Sequence, residues 1–233
     1  MKQINHSSLK FIGDTHGYHG FVNDQCSVTT DTLFIHVGDV GLGFDPINYD
    51  EITLNALNKT CKDLNNTVIL IRGNHDNKKV FDHFRGKFSN VYIPEEYEVV
   101  KFRDKTIQFI GGAVSIDRRA RHAGIDYWPD EGVVQDIDKC QKVDILVTHT
   151  APSKCTPVGL SPFVLGWCKH DFELKHELIS EREYMDKVIE ICQPELHCYG
   201  HFHLTSIQSN LYSFDCTHVV LDINHVWDAK KFI

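Results

Sequence analysis

A chain of 233 residues is long enough for one large α/β domain or two small ones, and no segment rich in proline, glycine and serine divides it. We therefore predict one domain over residues 1–233. A net charge of -8 gives no support for broad non-specific nucleic-acid binding, and no apolar run approaches the roughly 18 residues that a membrane span needs. The N-terminal stretch lacks the apolar core of a signal peptide, so we expect a soluble, cytoplasmic protein whose eight cysteines are free thiols.

Short apolar runs, each followed by polar residues, predict the strands of the first part of the chain. They occupy 9–12, 32–37 and 68–71. Apolar residues at helical spacing between Asn48 and Leu64 predict a helix from the second strand to the third, which gives βαβ order and parallel pairing. Residues 79–84 predict a further short helix.

The pattern changes after residue 98. Residues 98–102 and 106–110 predict an antiparallel hairpin, and 111–132 is an irregular segment of a length that is usually functional. Helices are predicted at 130–140 and 171–192, and a loop or lid at 151–169. Further strands are predicted at 143–148, 195–199, 205–208, 211–215 and 218–223.

Five of the predicted strands end in residues that can bind metal or carry protons. In open α/β sheets ligands bind at the carboxyl ends of the strands, so these residues should meet at one edge. A single such residue has an ordinary structural explanation, because an aspartate can cap a turn and a lone histidine is more often a hydrogen-bonded core residue. Five strand ends in succession favour one site, made of Asp14, His16, Asp39, Asn74, His75, His149, His201 and His203.

The chemistry of these side chains indicates a metal centre. Alternate residues of an extended chain point the same way, so Asp14 with His16, and His201 with His203, can each present two ligands to one spot. Without His75 the set holds two carboxylates, four imidazoles and one amide but no thiolate, which suits catalytic Mn, Fe, Zn or Ni. Seven ligands exceed the need of one catalytic ion and suit two divalent ions that share a carboxylate. Two such ions attract a phosphate ester and acidify a shared water, which predicts attack of a metal-held hydroxide on phosphorus.

The ordered motifs resemble those of the calcineurin-like metallophosphoesterase superfamily. They are Asp14-x-His16, Gly38-Asp39, Gly73-Asn-His-Asp76, His149 and Gly200-His-x-His203. The resemblance implies an α/β fold, a central β-sandwich of mixed sheets flanked by helices in four layers (α, β, β, α). The runs Gly41-Leu-Gly-Phe44 and 111–118 are similar to the small bacterial and phage members of the superfamily.

The resemblance also implies a role for each site residue. One metal would take Asp14, His16 and His203, the other Asn74, His149 and His201, with Asp39 bridging the two and manganese the favoured ion. His75 would face the substrate, as proton donor to the leaving oxygen or as stabiliser of the phosphoryl charge. An imidazole with the usual pKa of about 6.5 can still donate a proton at neutral pH.

Departures from the family bear on the substrate. Where phosphoprotein phosphatases carry an aspartate that orients the histidine and an arginine that grips phosphate, this chain has Leu42 and Gly43. The tyrosine ligand of purple acid phosphatases is also replaced by Leu42. Arg118 is our candidate for the missing arginine, with Arg119 and Arg121 as alternatives.

We therefore predict a dinuclear metal-dependent phosphoesterase that acts on a nucleotide, a small phosphodiester or a phosphomonoester. The alternatives are a phosphoprotein phosphatase, weakened by Leu42 and Gly43, and an inert binding scaffold of the same fold, which would need neither His75 nor every ligand. Asp76 is a weaker candidate for the substrate side and can equally bond the backbone of its own turn or orient a ligand. The partner would be a small phosphorylated substrate, and the sequence leaves oligomeric state open.

Overall fold

The computed structural model describes all 233 residues and contains twelve strands and five α-helices. The strands are β1 (Gln3–Ile4), β2 (Ser8–Ile12), β3 (Thr32–His36), β4 (Thr67–Leu70), β5 (Val91–Tyr92), β6 (Val99–Phe102), β7 (Lys105–Ile110), β8 (Ile145–Thr148), β9 (Leu196–Tyr199), β10 (Ser206–Ser209), β11 (Thr217–Val220) and β12 (Val226–Asp228). The helices are α1 (His19–Ser27), α2 (Ile47–Asp63), α3 (Lys78–Phe84), α4 (Pro162–Cys168) and α5 (Leu174–Cys192). Single turns of 3-10 helix lie at 118–120, 137–139 and 230–232.

The strands form two mixed sheets. The five-stranded sheet has the order β12-β2-β3-β4-β5, in which β2 to β5 are parallel and β12 is antiparallel to β2. The seven-stranded sheet has the order β1-β6-β7-β8-β9-β11-β10, in which β7, β8, β9 and β11 are parallel. Each parallel set brings its carboxyl ends to one edge of its sheet, which is where the polar residues of the motifs follow.

The two sheets enclose the main hydrophobic core. Its 19 buried residues come from the facing sides of both sheets, for example Leu33 and Ile35 of β3 and Val147 of β8. Phe34, between Leu33 and Ile35, points to the opposite face of the sheet because side chains alternate along a strand. Burial on both faces explains why these strands are continuous apolar runs rather than alternating ones.

Helices cover the outer faces of both sheets. Residues of α1, α2 and α3, such as Cys26, Leu57 and Phe81, form a second core cluster with the outer face of the five-stranded sheet. On the seven-stranded sheet the third cluster joins α5 to β7 and β8, with Met185 and Leu146 among its members. The predicted four-layer architecture is therefore confirmed. No helix combines the length with the apolar character that crossing a membrane requires.

The sequence was least informative at irregular segments. The predicted hairpin is confirmed as β6 and β7, whereas the helix predicted at 130–140 is wrong apart from one 3-10 turn at 137–139. The strand predicted at 211–215 is also wrong, because the left-handed residue Asn210 turns the chain and Tyr212 and Phe214 instead pack against the α5 cluster. Helices α1 and α4 were not predicted, although Ser161 caps α4 just before a proline, a typical helix start.

Candidate metal centre and active site

The carboxyl ends of five strands bring all seven predicted metal ligands together. Asp14 and His16 follow β2, Asp39 follows β3, and Asn74 follows β4. From the other sheet come His149 after β8, and His201 and His203 after β9. Both sheets thus contribute to one cluster.

The first half of the cluster holds two carboxylates and two imidazoles. The ligand atoms of Asp14, His16, Asp39 and His203 all lie within 4.8 Å of one another. Nε2 of His16 is 3.0 Å from Nε2 of His203, and Nε2 of His203 is 3.5 Å from Oδ2 of Asp14. These atoms therefore converge on one point, as the ligands of an ion do.

The second half joins an amide oxygen to two imidazoles. Oδ1 of Asn74 lies 2.9 Å from Nε2 of His149 and 2.8 Å from Nδ1 of His201. Oδ2 of Asp39 lies 3.4 Å from Nε2 of His149 and 3.9 Å from Nε2 of His16. One oxygen of Asp39 thus reaches both halves, which is the geometry expected of a bridging carboxylate.

The residues present fit a pair of divalent cations. Oδ1 of Asp14 and Oδ2 of Asp39 are buried and meet no hydrogen-bond partner, a costly arrangement for carboxylates that a cation would relieve. Burial, only partly opposed by a hydrogen bond from His203, raises the pKa of Asp14. A Cβ added at Gly73 would stand 2.0 Å from Oδ1 of Asp39, and one added at Gly200 would stand 2.1 Å from Oδ1 of Asp14. Glycine is therefore required at both positions for these carboxylates to lie where they do.

The backbone at the cluster is not extended as the spacing of its residues predicted. His16, Asp39, His201 and His203 all have positive φ, at 45°, 55°, 69° and 50°. Left-handed backbone is uncommon for residues with a Cβ and costs free energy that the surrounding fold must supply. The side chains after β2, β3 and β9 therefore converge through tight left-handed turns, rather than because alternate residues of a strand share a face.

Hydrogen bonds outside the cluster orient two of its ligands. Nδ1 of His149 lies 2.9 Å from the carbonyl oxygen of Val37 and donates to it, which leaves the lone pair on Nε2 facing the cluster. Nδ2 of Asn74 donates to Ser115 Oγ at 2.8 Å, and Ser115 in turn donates to the buried carboxylate of Glu131 at 2.7 Å. This relay turns the amide so that its oxygen faces the cluster. Neither Ser115 nor Glu131 was predicted from the sequence as a site residue.

His75 lies beside the cluster with its ring 4.9 Å from that of His16, centroid to centroid. Its backbone N–H donates to Oδ1 of Asp39 at 2.8 Å, and Nη1 of Arg121 lies 3.1 Å from its Nδ1. A guanidinium can only donate, so Nδ1 must accept, and the proton of the neutral ring is on Nε2. Burial, opposed by Asp39 and reinforced by the charge of Arg121, lowers the pKa of His75 to about 4, so the usual value assumed from the sequence does not apply.

The three candidate arginines have different surroundings. Arg118 forms ion pairs with Asp171, which precedes α5, at 2.6 Å and with Glu177 on α5. Its guanidinium is therefore not available to a substrate phosphate. Arg119 is 65% exposed and lies 3.3 Å from Asp171. Only Arg121 reaches the cluster, through His75, so the contact expected of Arg118 is better proposed for Arg121.

Asp76 lies behind the metal cluster. Its carboxylate accepts hydrogen bonds from four backbone N–H groups, at 2.6 to 3.2 Å, those of Val40, Gly41, Leu42 and Gly73. All its lone pairs are therefore used to hold the turn after β3 against the turn after β4. These contacts favour a role in fixing the loop of Asp39 over the substrate contact that the sequence suggested.

A groove of about 620 Å³ opens from the cluster, a size typical of small-ligand sites. Asp39, Asn74 and His75 line one end of it. Much of the remaining surface is apolar, formed by the segment before α4, by α4 itself and by the residues after β9, namely Pro157, Val158, Leu160, Phe163, Val164, Trp167, Phe202 and Leu204. Polar side chains also line it, among them Asp117, Ser161 and Glu181. The groove has no free cation, because its one arginine or lysine, Arg182, donates to three backbone carbonyls at 2.6 Å each.

Comparisons with known proteins agree with this fold. A family model described as calcineurin-like phosphoesterase matches residues 8–204. One crystal structure is similar with a TM-score of 0.57 and 12% identity, over 95% of each chain. A phosphopantetheinyl hydrolase from Mycobacterium tuberculosis is similar with a TM-score of 0.50 and 15% identity, over 93% of this chain and 90% of that one. At such identities these structures support the fold alone, and no curated protein matches the chain.

Proposed function

We propose that this chain, which belongs to the calcineurin-like phosphoesterase family of metal-dependent phosphoric ester hydrolases, hydrolyses small phosphodiesters that carry an apolar group, at a centre of two divalent ions. The observation that carries the proposal is the position of Asp39, whose Oδ2 lies 3.4 Å from His149 and 3.9 Å from His16. A single ion has no need of an oxygen shared between two ligand sets.

The distances support a division of the ligands into two sets. Asp14, His16 and His203 would hold one ion, and Asn74, His149 and His201 the other, with Asp39 between them. Bound ions would supply Lewis-acid polarisation of the phosphate and would lower the pKa of a water toward neutrality. Manganese fits the mixed nitrogen and oxygen donors, as do iron, zinc and nickel.

His75 would act on the phosphoryl group through Nε2. Because Arg121 donates to Nδ1, the neutral ring carries its proton on Nε2, where it can donate a hydrogen bond to an oxygen of the ester. This favours stabilisation of the developing charge, the second of the two roles implied by the family, over full proton transfer. Arg121 is then a positioning residue that takes the place of the aspartate replaced by Leu42.

The groove favours a diester with an apolar or aromatic group over a polyphosphate. A nucleoside di- or triphosphate needs cations along its phosphates, and the only arginine or lysine of the groove is engaged by the backbone. Phe163 and Trp167 instead offer aromatic surface that can take an aryl, a nucleobase or an alkyl chain. The two metal ions at one end of the groove would then bind the single negative charge of the phosphodiester.

Hydrolysis assays test the proposal. Manganese-loaded protein should hydrolyse bis-p-nitrophenyl phosphate faster than p-nitrophenyl phosphate, and a hexyl p-nitrophenyl diester should have a lower KM than the methyl one. Trp167→Ala should raise the KM for the hexyl diester roughly 5- to 10-fold, because apolar contact in the groove is lost, and leave that of the methyl ester unchanged. The control is Phe172→Ala, since Phe172 is 91% exposed and outside the groove. A faster monoester, or equal KM values along the series, would contradict the substrate class.

A further inference from the structure

A second group of metal-ligating side chains lies apart from the catalytic cluster. Sγ of Cys155, Nδ1 of His197 and Nδ1 of His218 lie within 4.8 Å of one another, and all three residues are buried. His197 on β9 and His218 on β11 are direct neighbours in parallel register, so both rings leave the same face of the sheet. Cys155, in the segment after β8, covers them.

The distances are those of ligands around one small ion. Nδ1 of His218 is 3.2 Å from Sγ of Cys155 and 3.1 Å from Nδ1 of His197. Tetrahedral zinc with bonds of about 2.05 Å to nitrogen and about 2.3 Å to sulfur separates its ligand atoms by about 3.4 Å and about 3.6 Å. These two pairs therefore need to move apart by only a few tenths of an ångström to accept the ion, and the ligand atoms of Cys155 and His197 lie within 4.8 Å of each other.

Hydrogen bonding prepares His197 as a ligand. The hydroxyl of Thr148 donates to the carbonyl oxygen of Thr150, so it must accept from Nε2–H of His197, which lies 2.9 Å away. This fixes the lone pair of His197 on Nδ1, directed at the other two side chains. Metal-binding histidines are commonly held in this way by a hydrogen bond from the other ring nitrogen.

We propose that Cys155, His197 and His218 form a zinc site separate from the catalytic centre. The thiolate distinguishes this site from the catalytic centre, whose ligands include no sulfur. A thiolate combined with imidazoles selects zinc over manganese. Burial raises the pKa of the Cys155 thiol to about 12, so binding of Zn²⁺ releases the thiol proton to solvent.

The site would tie the groove to the sheet. Cys155 is two residues from Pro157 and three from Val158 in the groove wall, and His197 is four residues before the catalytic ligand His201. A metal bond between these segments would hold the wall in place relative to the catalytic cluster. This role is structural and does not depend on the proposed phosphoesterase mechanism.

Cobalt spectroscopy tests the proposal independently of activity. Chelator-treated protein reloaded with Co²⁺ should show a thiolate-to-cobalt charge-transfer band in the near ultraviolet, which the sulfur-free catalytic ligands cannot produce. Cys155→Ser should remove the band and lower zinc content by about one ion per chain, and His218→Asn should shift or weaken the band. Cys168→Ser, at a partly exposed cysteine outside the cluster, should leave both unchanged.

The wild-type spectrum alone decides the question if the variants fail to fold. Cobalt-loaded wild-type protein that binds the ion at the catalytic ligands but shows no thiolate band would overturn the proposal. A band that survives in folded Cys155→Ser would overturn it as well, because the sulfur would then come from elsewhere.

Discussion

Replacing Arg121 by methionine tests how this chain orients His75 without the usual aspartate. Nη1 of Arg121 lies 3.1 Å from Nδ1 of His75, and a hydrogen bond from a charged donor contributes about 1.5 to 3 kcal/mol. Losing this stabilisation of the transition state should lower kcat roughly 10- to 100-fold. KM should change little, because the groove that holds the substrate is intact.

The assay is steady-state hydrolysis of bis-p-nitrophenyl phosphate by manganese-loaded protein, with metal content measured on the same samples. Arg121 also lies 2.8 Å from Asp117 and 3.7 Å from Glu131, so the free energy of unfolding must be measured in parallel. Arg121→Lys keeps the charge and should recover part of kcat. Arg119→Met, at a side chain that is 65% exposed, should match the wild type. A folded, fully metallated Arg121→Met protein with kcat within about twofold of the wild type would refute this role.

Three further changes probe the rest of the site. Asp39→Ala should lower bound manganese from about two ions per chain to below one, measured by elemental analysis, because both ligand sets lose their shared oxygen; two ions retained would disprove the bridge. Gly200→Ala should abolish metal binding and activity, since its Cβ would stand 2.1 Å from Oδ1 of Asp14; near-normal metal content would count against this account. The Arg118 guanidinium holds the pKa of Asp171 at about 2, below its usual 3.8, so this aspartate contributes stability above pH about 4 that is lost as the pH falls toward 2. Denaturant unfolding should show that Asp171→Asn removes about 1 to 2 kcal/mol at pH 7, a modest value because the pair lies near solvent, and only about 0.4 kcal/mol at pH 2, where the aspartate of the folded protein is about half protonated; an equal loss at both pH values would argue against the ion pair.

The metal ligands could be predicted from the sequence because their order reflects the topology. Each ligand directly follows an apolar run, and parallel strands bring such positions to one edge whatever the exact length of the helices between them. The outer faces of the sheets were predictable for the same reason, since helical spacing between Asn48 and Leu64 leaves one face for the sheet. Only the local geometry differed, through the left-handed turns at His16, His201 and His203.

The residues that orient Asn74 and His75 could not be assigned from the sequence, because their contacts depend on an irregular segment. Ser115, Arg121 and Glu131 all belong to the segment 111–132, which has no periodicity to indicate which side chains point inward. Arg118 does not reach His75 because it pairs with Asp171, which lies more than fifty residues away in the sequence. Such a choice follows from tertiary packing, which a local pattern does not contain.

The cluster of Cys155, His197 and His218 could not be predicted from the sequence either. Its residues have no CxxC spacing, and two of its three ligands meet only through the register of β9 with β11. Neither His197 nor His218 belongs to one of the motifs of the sequence. Both histidines are buried, and the hydrogen bond that joins their Nδ1 atoms at 3.1 Å brings them together beside the thiol of Cys155, a contact that no local pattern predicts.

The most direct test of the central claim is a manganese titration of chelator-treated protein, followed by hydrolysis of bis-p-nitrophenyl phosphate. We predict no hydrolysis without metal and activity that saturates when about two manganese ions are bound per chain. Full activity in the metal-stripped protein, or saturation at one ion per chain, would contradict a two-ion centre bridged by Asp39.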